Sequence, residues 1–333
     1  MFNIETTLGN FFADGLLVHN SHKIKSAGSN QSLFAFQIRA KHKIALTGTP
    51  MPHSPLDLYG QYRTLDVGVF GKNFSRFKAK FAIMGGFDGY EIIGWQNQEE
   101  MRRSMDLLRY EVKKDALTLP PLQFLKRTCV LEPVARKAYN ELEKELVTEV
   151  KGNVITAANA LVKLLRLQQI AAGYLPLEDG EVERIDGAKL LLLGEMLEEL
   201  SQERVVVFCR FRADLDACRA TVTAQGRQYF EVSGDHRDYL EWRDDTSDNA
   251  VVGVQLQAGL GIDLTQASYG IFYTLGFSLG DYDQCVARLH RPGQKRATII
   301  YHLLAENTVD ARIARALREK RDVIEALLRG MRE

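Results

Sequence analysis

Three consecutive residues near the start of the chain have the side chains that a self-cleaving peptide junction requires. The side-chain amide of Asn20 can attack its own main-chain carbonyl, and His19 can donate a proton. Ser21 has a hydroxyl that can carry an acyl group as an ester. This order predicts cleavage and acyl transfer at the Asn20-Ser21 bond. A hydrophobic strand that ends in a polar turn is the alternative, because His-Asn-Ser is a common sequence.

The residues before this junction resemble the C-terminal end of an intein. The run Phe-Phe-Ala-Asp-Gly-Leu-Leu-Val, residues 11–18, leads directly into His19 and Asn20. The resemblance implies that residues 1–20 are an intein segment and that the three junction residues take part in splicing. Gly9 stands where many inteins carry a second assisting His, which bears on the rate of splicing.

The residues after the junction resemble the second half of a metal-holding motif. Ser21-His22-Lys23 is similar to the end of the Asp-Glu-Ser-His box, with which superfamily-two helicases and Swi/Snf-type translocases hold magnesium and activate water. The Asp and Glu of that box are absent, and no Asp-Glu dipeptide occurs in the sequence. An insertion between Glu and Ser would produce this junction. Taken alone, these residues also fit an ordinary polar stretch.

A short apolar run at 43–46 predicts a buried strand that leads into Thr47-Gly48-Thr49-Pro50. Small hydroxyl residues at a strand end can hydrogen-bond to neighbouring loops, although a strand followed by a Gly-Pro turn is frequent. The tetrapeptide resembles helicase motif III. The resemblance implies that Thr47, Gly48 and Thr49 couple nucleotide occupancy to the rest of the protein.

A glycine-containing run at 255–264 follows a predicted strand. Glycines there let the backbone approach a ligand, and exposed amides suit phosphate oxygens, although a plain strand-to-helix turn is the alternative. The run resembles helicase motif V. The resemblance implies that Gly259, Gly261 and Asp263 contact ATP, with Asp263 facing the ribose or a neighbouring Arg.

The same family resemblance predicts contacts with DNA. Phe208-Cys209-Arg210-Phe211 lies where motif IV belongs, and the run at 255–264 is the segment that contacts the DNA backbone in the family. The residues implied as DNA contacts are Gln255, Thr265 and Arg210.

The run at 284–294, Gln-Cys-Val-Ala-Arg-Leu-His-Arg-Pro-Gly-Gln, contains two arginines at helical spacing. Arg288 and Arg291 project from one face of a helix, where they can reach a triphosphate. A planar, permanently charged guanidinium neutralises charge on a transferring phosphate. Solvated surface arginines are the alternative. The run resembles motif VI of Swi/Snf-type proteins, which implies catalytic roles for Arg288, Arg291 and Gln284. The resemblance of residues 21–23 to the metal-holding box implies a catalytic role for His22.

Composition places the chain among globular proteins with more than one domain. It has 333 residues, of which 45% are hydrophobic and 26% charged, and a formal net charge of zero. The neutral charge does not exclude DNA, because a local groove can bind it. The four cysteines show no metal-ligand spacing, and no apolar run spans a membrane. We therefore expect a soluble cytoplasmic protein of a bacterial or phage-infected cell.

The order of predicted elements favours an α/β fold with RecA-like parallel-sheet lobes, a partial first lobe, a complete second lobe and helical insertions. Short apolar strands alternate with helices after residue 188, which is typical of a parallel sheet covered on both faces. The predicted segments are an intein end at 1–20, the end of the first lobe at 21–132, a helical protrusion and linker at 133–187, the second lobe at 188–320 and a terminal helix end at 321–333.

The collinear motifs identify the chain as similar to the C-terminal part of a Swi/Snf-type, superfamily-two DNA-dependent ATPase. No Gly-x-x-x-x-Gly-Lys-[Ser/Thr] loop occurs in the sequence. The resemblance therefore implies ATP and Mg²⁺ as cofactors, with the metal ligands on an upstream half of the enzyme, and duplex DNA as partner. This chain alone is expected to be inactive. A strand-separating DNA or RNA helicase and an inactive DNA-binding fragment are the alternatives.

Overall fold

The structure is a computed structural model that describes residues 10–13, 16–20, 24–40, 42–46, 51, 54–85, 89, 91–110, 119–152, 157–177, 182–258 and 262–319. The chain forms two compact units, Met1–Ala116 and Leu117–Glu333, and each is described by itself. No helix in the described ranges is long and apolar enough to cross a membrane.

The first unit combines a small sheet with short helices and a hairpin. Its elements in chain order are β1 (Asn10–Ala13), β2 (Leu16–Asn20), α1 (Asn30–Gln37), β3 (Lys43–Leu46), α2 (Asp57–Leu65), α3 (Val67–Phe70), α4 (Phe74–Phe81), β4 (Ala82–Gly85), β5 (Glu91–Trp95) and α5 (Gln98–Asp106). Strand β2 is antiparallel to β1 and parallel to β3. Strands β4 and β5 form the hairpin.

Aromatic side chains form the core of the helical part of this unit. Tyr59 on α2 and Phe77 and Phe81 on α4 are buried. The ring centroids of Phe77 and Phe81 are 5.0 Å apart, and those of Tyr59 and Phe77 are 5.2 Å apart. The four-residue spacing of Phe77 and Phe81 places both rings on the same face of α4. These ring contacts hold α2 and α4 together as one helical core.

The second unit is built on a six-stranded sheet. Its elements in chain order are β6 (Leu122–Cys129), α6 (Pro133–Lys151), α7 (Ala157–Ala171), β7 (Tyr174–Pro176), β8 (Val182–Arg184), α8 (Ala188–Glu199), β9 (Val205–Cys209), α9 (Arg212–Ala224), β10 (Tyr229–Val232), α10 (Tyr239–Asp244), β11 (Val251–Gln255), β12 (Tyr269–Phe272), α11 (Leu279–Leu289), β13 (Thr298–Ala305) and α12 (Val309–Arg318). The strand order is β10-β11-β9-β12-β13-β6, and all neighbours are parallel. The predicted α/β class is confirmed.

The central strand β9 shows why this sheet is covered on both faces. All five of its residues are fully buried. Val206 and Phe208 pack into the core that includes residues of α7 and α12, whereas Val205 and Val207 pack into the core that includes residues of α8 and α9. Successive strand residues point to opposite faces, so a continuous apolar strand requires helices on both sides.

The strand Leu122–Cys129 belongs to the second unit, although the predicted segment bounds place it in the first lobe. Strand β6 pairs with β13, with Leu122 opposite Thr298 and Cys129 opposite Ala305. The boundary between residues 132 and 133 assigned this strand to the first lobe, whereas the structure divides after Ala116. An apolar pattern predicts a strand but does not identify its partner, and the partner here is distant in sequence.

The acidic segment 174–187, interpreted as a linker, contains a short hairpin. Strands β7 and β8 pair in antiparallel fashion. Gly173, which precedes β7, has a φ of +98°, a conformation that glycine adopts without a steric penalty. Strand β10 and helix α10 were not predicted, because four and six residues give too little periodicity to detect.

Candidate functional site

The predicted residues of the second unit lie at two places: Arg210 and Gln255 at the carboxyl ends of β9 and β11, and Arg288, Arg291 and Thr265 around the C-terminal end of α11, beside the segment that precedes β12. Arg210 directly follows β9, and Gln255 is the last residue of β11. The loop after β12 leads into α11, which carries Gln284 and Arg288. The carboxyl edge of an open parallel sheet is where α/β proteins bind their ligands.

Helix α11 presents two of the predicted catalytic residues from a fixed position. The Ser278 hydroxyl caps the helix by accepting a hydrogen bond from the Asp281 N–H at 3.2 Å. Leu289 anchors the other end, since its side chain is fully buried in the core. Gln284 and Arg288 are four residues apart and therefore share one side of the helix.

The guanidinium of Arg288 is half-buried, and its Nε has no hydrogen-bond partner among the described residues. Burial lowers the pKa of Arg288 and the neighbouring Arg291 lowers it further, whereas Cys285 and Asp263 raise it. The main-chain oxygen of Arg288 accepts a hydrogen bond from the Leu264 N–H at 3.1 Å. Two adjacent guanidinium groups with an unused buried donor suit a multiply charged anion such as a phosphate chain.

The side-chain amide of Gln284 is also incompletely bonded. Its Oε1 atom is buried and accepts no hydrogen bond within the described ranges. A buried polar atom without a partner is rare in native proteins. Gln284 and Arg288 therefore leave an unused acceptor and an unused donor on one side of α11.

Gln294 fixes the turn after α11, a role that the motif at 284–294 does not by itself indicate. Gln294 is 8% exposed. Its Nε2 donates to the main-chain oxygens of Ala267 at 2.9 Å and Leu289 at 3.2 Å. Its Oε1 accepts from the N–H groups of Lys295 and Arg296, each at 3.0 Å. These four bonds fix the turn to the segment that precedes β12. A buried amide of this kind has no sequence signature of its own.

Asp263 is held by hydrogen bonds on both sides. Its Oδ1 accepts from the Thr265 N–H at 3.0 Å, and its own N–H donates to the Tyr239 hydroxyl at 3.2 Å. Thr265 lies beside the turn after α11, since a Cβ built on Gly293 would be 3.7 Å from its Oγ1. The structure thus brings Asp263 and Thr265 to that turn. Tyr239 was missed because it lies on the unpredicted helix α10.

Arg210 is anchored through its main chain to the loop after β12. Its N–H donates to Thr274 Oγ1 at 2.8 Å, and the Thr274 hydroxyl donates to Asp214 Oδ2 at 2.6 Å. Asp214 also accepts from the Phe211 N–H at 3.0 Å. Burial raises the pKa of Asp214 to about 6, against the lowering effect of these hydrogen bonds. Asp214 thereby joins the carboxyl ends of β9 and β12.

Gln255 already uses its side-chain oxygen inside the protein. Its Oε1 accepts a hydrogen bond from the Gly234 N–H at 3.2 Å, in the loop that follows β10. Of the three predicted DNA contacts, Gln255 therefore lies toward β10, Arg210 lies at the centre of the sheet edge, and Thr265 lies beside the turn after α11.

Several predicted site residues lie outside the described residues: Ser21, His22, Thr47, Gly48, Thr49, Gly259 and Gly261. The backbones of His19 and Asn20 are described and pair in parallel with Ala45 and Leu46 across β2 and β3. In the part of the chain that the structure describes, no three His, Cys, Asp or Glu side chains are grouped as ligands for a metal ion.

Two family models match the sequence. The SNF2-related domain matches residues 5–173, about half of the chain, and the helicase conserved C-terminal domain matches residues 188–293. The first match begins within residues 1–20, so it lends no support to the interpretation of that segment as an intein end.

Curated relatives align with nearly the whole chain at low identity. The "Uncharacterized ATP-dependent helicase" of Mycoplasma pneumoniae is 24% identical over 327 residues, which are 94% of this chain and 30% of the relative. The human "DNA annealing helicase and endonuclease ZRANB3" is 27% identical over 337 residues, 96% of this chain and 30% of the relative. The chain thus spans about a third of the length of these relatives.

Solved structures show the same fold. The SWI2/SNF2 ATPase core of Sulfolobus solfataricus in complex with dsDNA has a TM-score of 0.50 and 24% identity, and the match covers 95% of this chain and 69% of that one. The C-terminal part of the Fun30 ATPase domain has a TM-score of 0.50 and 16% identity, with coverage of 64% and 99%. These neighbours are ATPase cores with RecA-like lobes, so the predicted RecA-like fold is confirmed.

Proposed function

The chain belongs to the SNF2-related family of helicase-type ATPases, and from that premise we propose that it is the C-terminal portion of an ATP-driven, Swi/Snf-type DNA translocase. The observation that carries this proposal is the pair Arg288 and Arg291 at the C-terminal end of α11, beside the segment that precedes β12. Burial lowers the pKa of Arg288, and its Nε lacks a partner in the described structure. A partly buried guanidinium with an unused donor is suited to bind an anion.

A triphosphate fits the groups that the described site offers. Bound ATP would supply the phosphoryl group that is transferred to water. Arg288 and Arg291 would neutralise charge on that group, and the unused buried oxygen of Gln284 would accept a hydrogen bond from the attacking water. Asp263, together with Gly259 and Gly261, would lie against the rest of the nucleotide.

The remaining chemistry is proposed to come from an upstream half of the enzyme. The sequence has neither a P-loop nor an Asp-Glu dipeptide, and the described residues contain no metal-ligand cluster. Mg²⁺ would therefore be held by that half, next to His22. Thr47, Gly48 and Thr49 would couple the occupied nucleotide site to DNA movement. The intein-like residues His19, Asn20 and Ser21 support joining of the halves by splicing.

Duplex DNA is the proposed track of the motor. Gln255 and Arg210 lie at the carboxyl edge of the sheet and Thr265 lies beside the turn after α11, and all three would contact backbone phosphates. The Sulfolobus solfataricus relative was solved with dsDNA, which supports this choice of partner. The neutral net charge of the chain requires that binding be local rather than driven by a global field.

The proposal is tested by reconstitution. The chain alone and the chain ligated to an upstream half with a P-loop are assayed for phosphate release with and without duplex DNA. DNA-stimulated hydrolysis by the ligated protein alone is the expected result. Hydrolysis by the isolated chain that Arg288→Ala does not reduce would contradict the proposal. Displacement of a labelled strand by the ligated protein would favour a strand-separating helicase instead.

A further inference from the structure

The Arg210 guanidinium of the second unit is largely enclosed and keeps one donor atom unused. Its Nη1 atom forms no hydrogen bond to any described residue. Burial lowers the pKa of Arg210 to about 10, against the raising effects of Asp214 and then Asp281, and the group stays charged at neutral pH. A buried donor without an acceptor is costly, so the arrangement suits a ligand that brings one.

The Arg210 guanidinium is stacked on an aromatic ring. Its Cζ atom is 4.2 Å from the ring centroid of Phe277 and 5.6 Å from that of Phe211. The distance to Phe277 is the shortest cation–π separation among the described residues. Stacking fixes the plane of the guanidinium and leaves the N–H groups at its edge free to donate.

The Arg210 guanidinium lies near the N-terminal end of α11, whereas Arg288 and Arg291 lie at its C-terminal end. Asp281, in the first turn of α11, is close enough to raise the pKa of Arg210 against the larger effect of burial. Seven residues separate Asp281 from Arg288, which is about 10 Å along the helix axis. Arg210 and Arg288 therefore lie near opposite ends of α11, which favours separate anions for the two arginines.

We propose that Phe277 is a positioning residue that holds the Arg210 guanidinium for one backbone phosphate of duplex DNA. The inference rests on the DNA translocase function proposed above. A duplex presents a regular row of phosphates, and a fixed guanidinium donates to a phosphate through two parallel hydrogen bonds. A lysine at position 210 could carry the charge but not the fork that stacking holds in place.

The test measures how the intact 333-residue chain binds a labelled duplex oligonucleotide by fluorescence anisotropy over a series of salt concentrations. Phe277→Leu and Arg210→Lys should each weaken binding roughly tenfold. Phe277→Leu, which releases the guanidinium from its phosphate, should also lower the slope of log affinity against log salt by about 0.9, the contribution of one phosphate contact, whereas Arg210→Lys keeps the charge and should keep the slope. Phe277→Tyr keeps the ring and should bind as the unmodified chain does.

Two matched controls separate positioning from general packing. Phe230 on β10 is a partly buried phenylalanine packed on the same core, so Phe230→Leu should leave the salt slope unchanged. Arg204 is also stacked, at 4.7 Å from the Trp242 ring, but donates to the main-chain oxygen of Asp245 at 2.8 Å. Arg204→Lys should therefore leave the duplex affinity unchanged.

Three outcomes would overturn the inference. An unchanged duplex affinity in folded Phe277→Leu and Arg210→Lys would show that the stack positions nothing. Loss of tripolyphosphate binding in Arg210→Lys, with normal duplex binding, would assign Arg210 to the nucleotide. Absence of salt-dependent duplex binding by the unmodified chain would instead remove the DNA function itself. If Phe277→Leu does not fold, Arg210→Lys still decides, because it leaves the ring in place.

Discussion

Lys189 and Asp310 form an ion pair inside the second unit, with 2.5 Å between Nζ and Oδ2. Their side chains are only 1% and 3% exposed. Asp310 Oδ2 also accepts a hydrogen bond from the Ala305 N–H at 3.1 Å. The pair joins the first turn of α8 to the first turn of α12, at the carboxyl end of β13. Two helices distant in sequence are thereby held at one edge of the sheet.

Removing one partner of this pair should destabilise the chain strongly. Lys189→Met leaves the Asp310 charge buried without a counter-ion, which typically costs about 3–5 kcal/mol in the free energy of unfolding. The double variant Lys189→Met with Asp310→Leu should lose less than either single variant. Urea unfolding measures all three. A double variant as unstable as the sum of the single ones would show that the two charges do not interact.

The buried carboxyl of Asp214 should make stability fall as pH rises. Its folded-state pKa is about 6, above the value near 3.9 of an unfolded chain. Between these values the folded state holds the proton more tightly, so its stability is lost as pH rises from about 4 to about 6. We expect Asp214→Asn to remove this slope, worth about 3 kcal/mol at most.

The measurement compares urea unfolding of the variant and the unmodified chain at intervals between pH 4 and pH 7. Asp216 is an exposed acid on the same helix, so Asp216→Asn is the matched control and should leave the slope unchanged. A parallel pH dependence in Asp214→Asn and the unmodified chain would mean that Asp214 does not titrate in this range.

Continuous apolar runs were sufficient to predict the central strands of the six-stranded sheet, although not its edge strand β10. The run Val205-Val206-Val207-Phe208 admits only a strand buried on both faces, and the structure has that strand at the centre of the sheet. Strand β6 shows the limit, because its partner β13 begins 169 residues after the last β6 residue and no local pattern encodes that pairing.

The candidate site was only partly predictable for a similar reason. Arg288 and Arg291 could be found because their spacing and charge are visible in the sequence. Tyr239, Phe277 and Gln294 could not, since each acts through a contact made across the fold. The sequence alone does not show whether such an amide or aromatic ring lies in the core, on the surface or against a functional residue.

Gln294→Leu should loosen the turn that follows α11. The change leaves the oxygens of Ala267 and Leu289 and two backbone N–H groups without their present partners. Loss of a buried hydrogen-bonding group costs about 1–3 kcal/mol, and we expect a decrease of that size in urea unfolding. In the ligated enzyme, kcat should fall while the Kd for DNA stays within about twofold. A stability within about 0.5 kcal/mol of the unmodified chain would argue against this role.

Splicing at the Asn20-Ser21 bond should depend on the Asn side chain. Mixed with an upstream half fused to its own intein segment, the chain should give a ligated product and a free C-terminal intein segment. Asn20→Ala should prevent release of that segment, since an alanine side chain cannot attack the main-chain carbonyl. Mass spectrometry resolves the products. An intact Asn20-Ser21 bond after prolonged incubation with a competent partner would show that the segment does not splice.

The two arginines of the motif VI run should control turnover rather than DNA affinity. In the ligated enzyme, Arg288→Ala and Arg291→Ala should each lower the ATPase rate about a thousandfold or more, because both side chains would act on charge that develops in the transition state. Lys at either position should restore little, since a point charge cannot replace the planar fork. Steady-state hydrolysis at saturating ATP and DNA measures the rate, and Arg243→Ala, on an exposed residue paired with Asp244, is the control. Normal turnover in both arginine variants would reduce residues 284–294 to a surface helix and remove the main support for the motor.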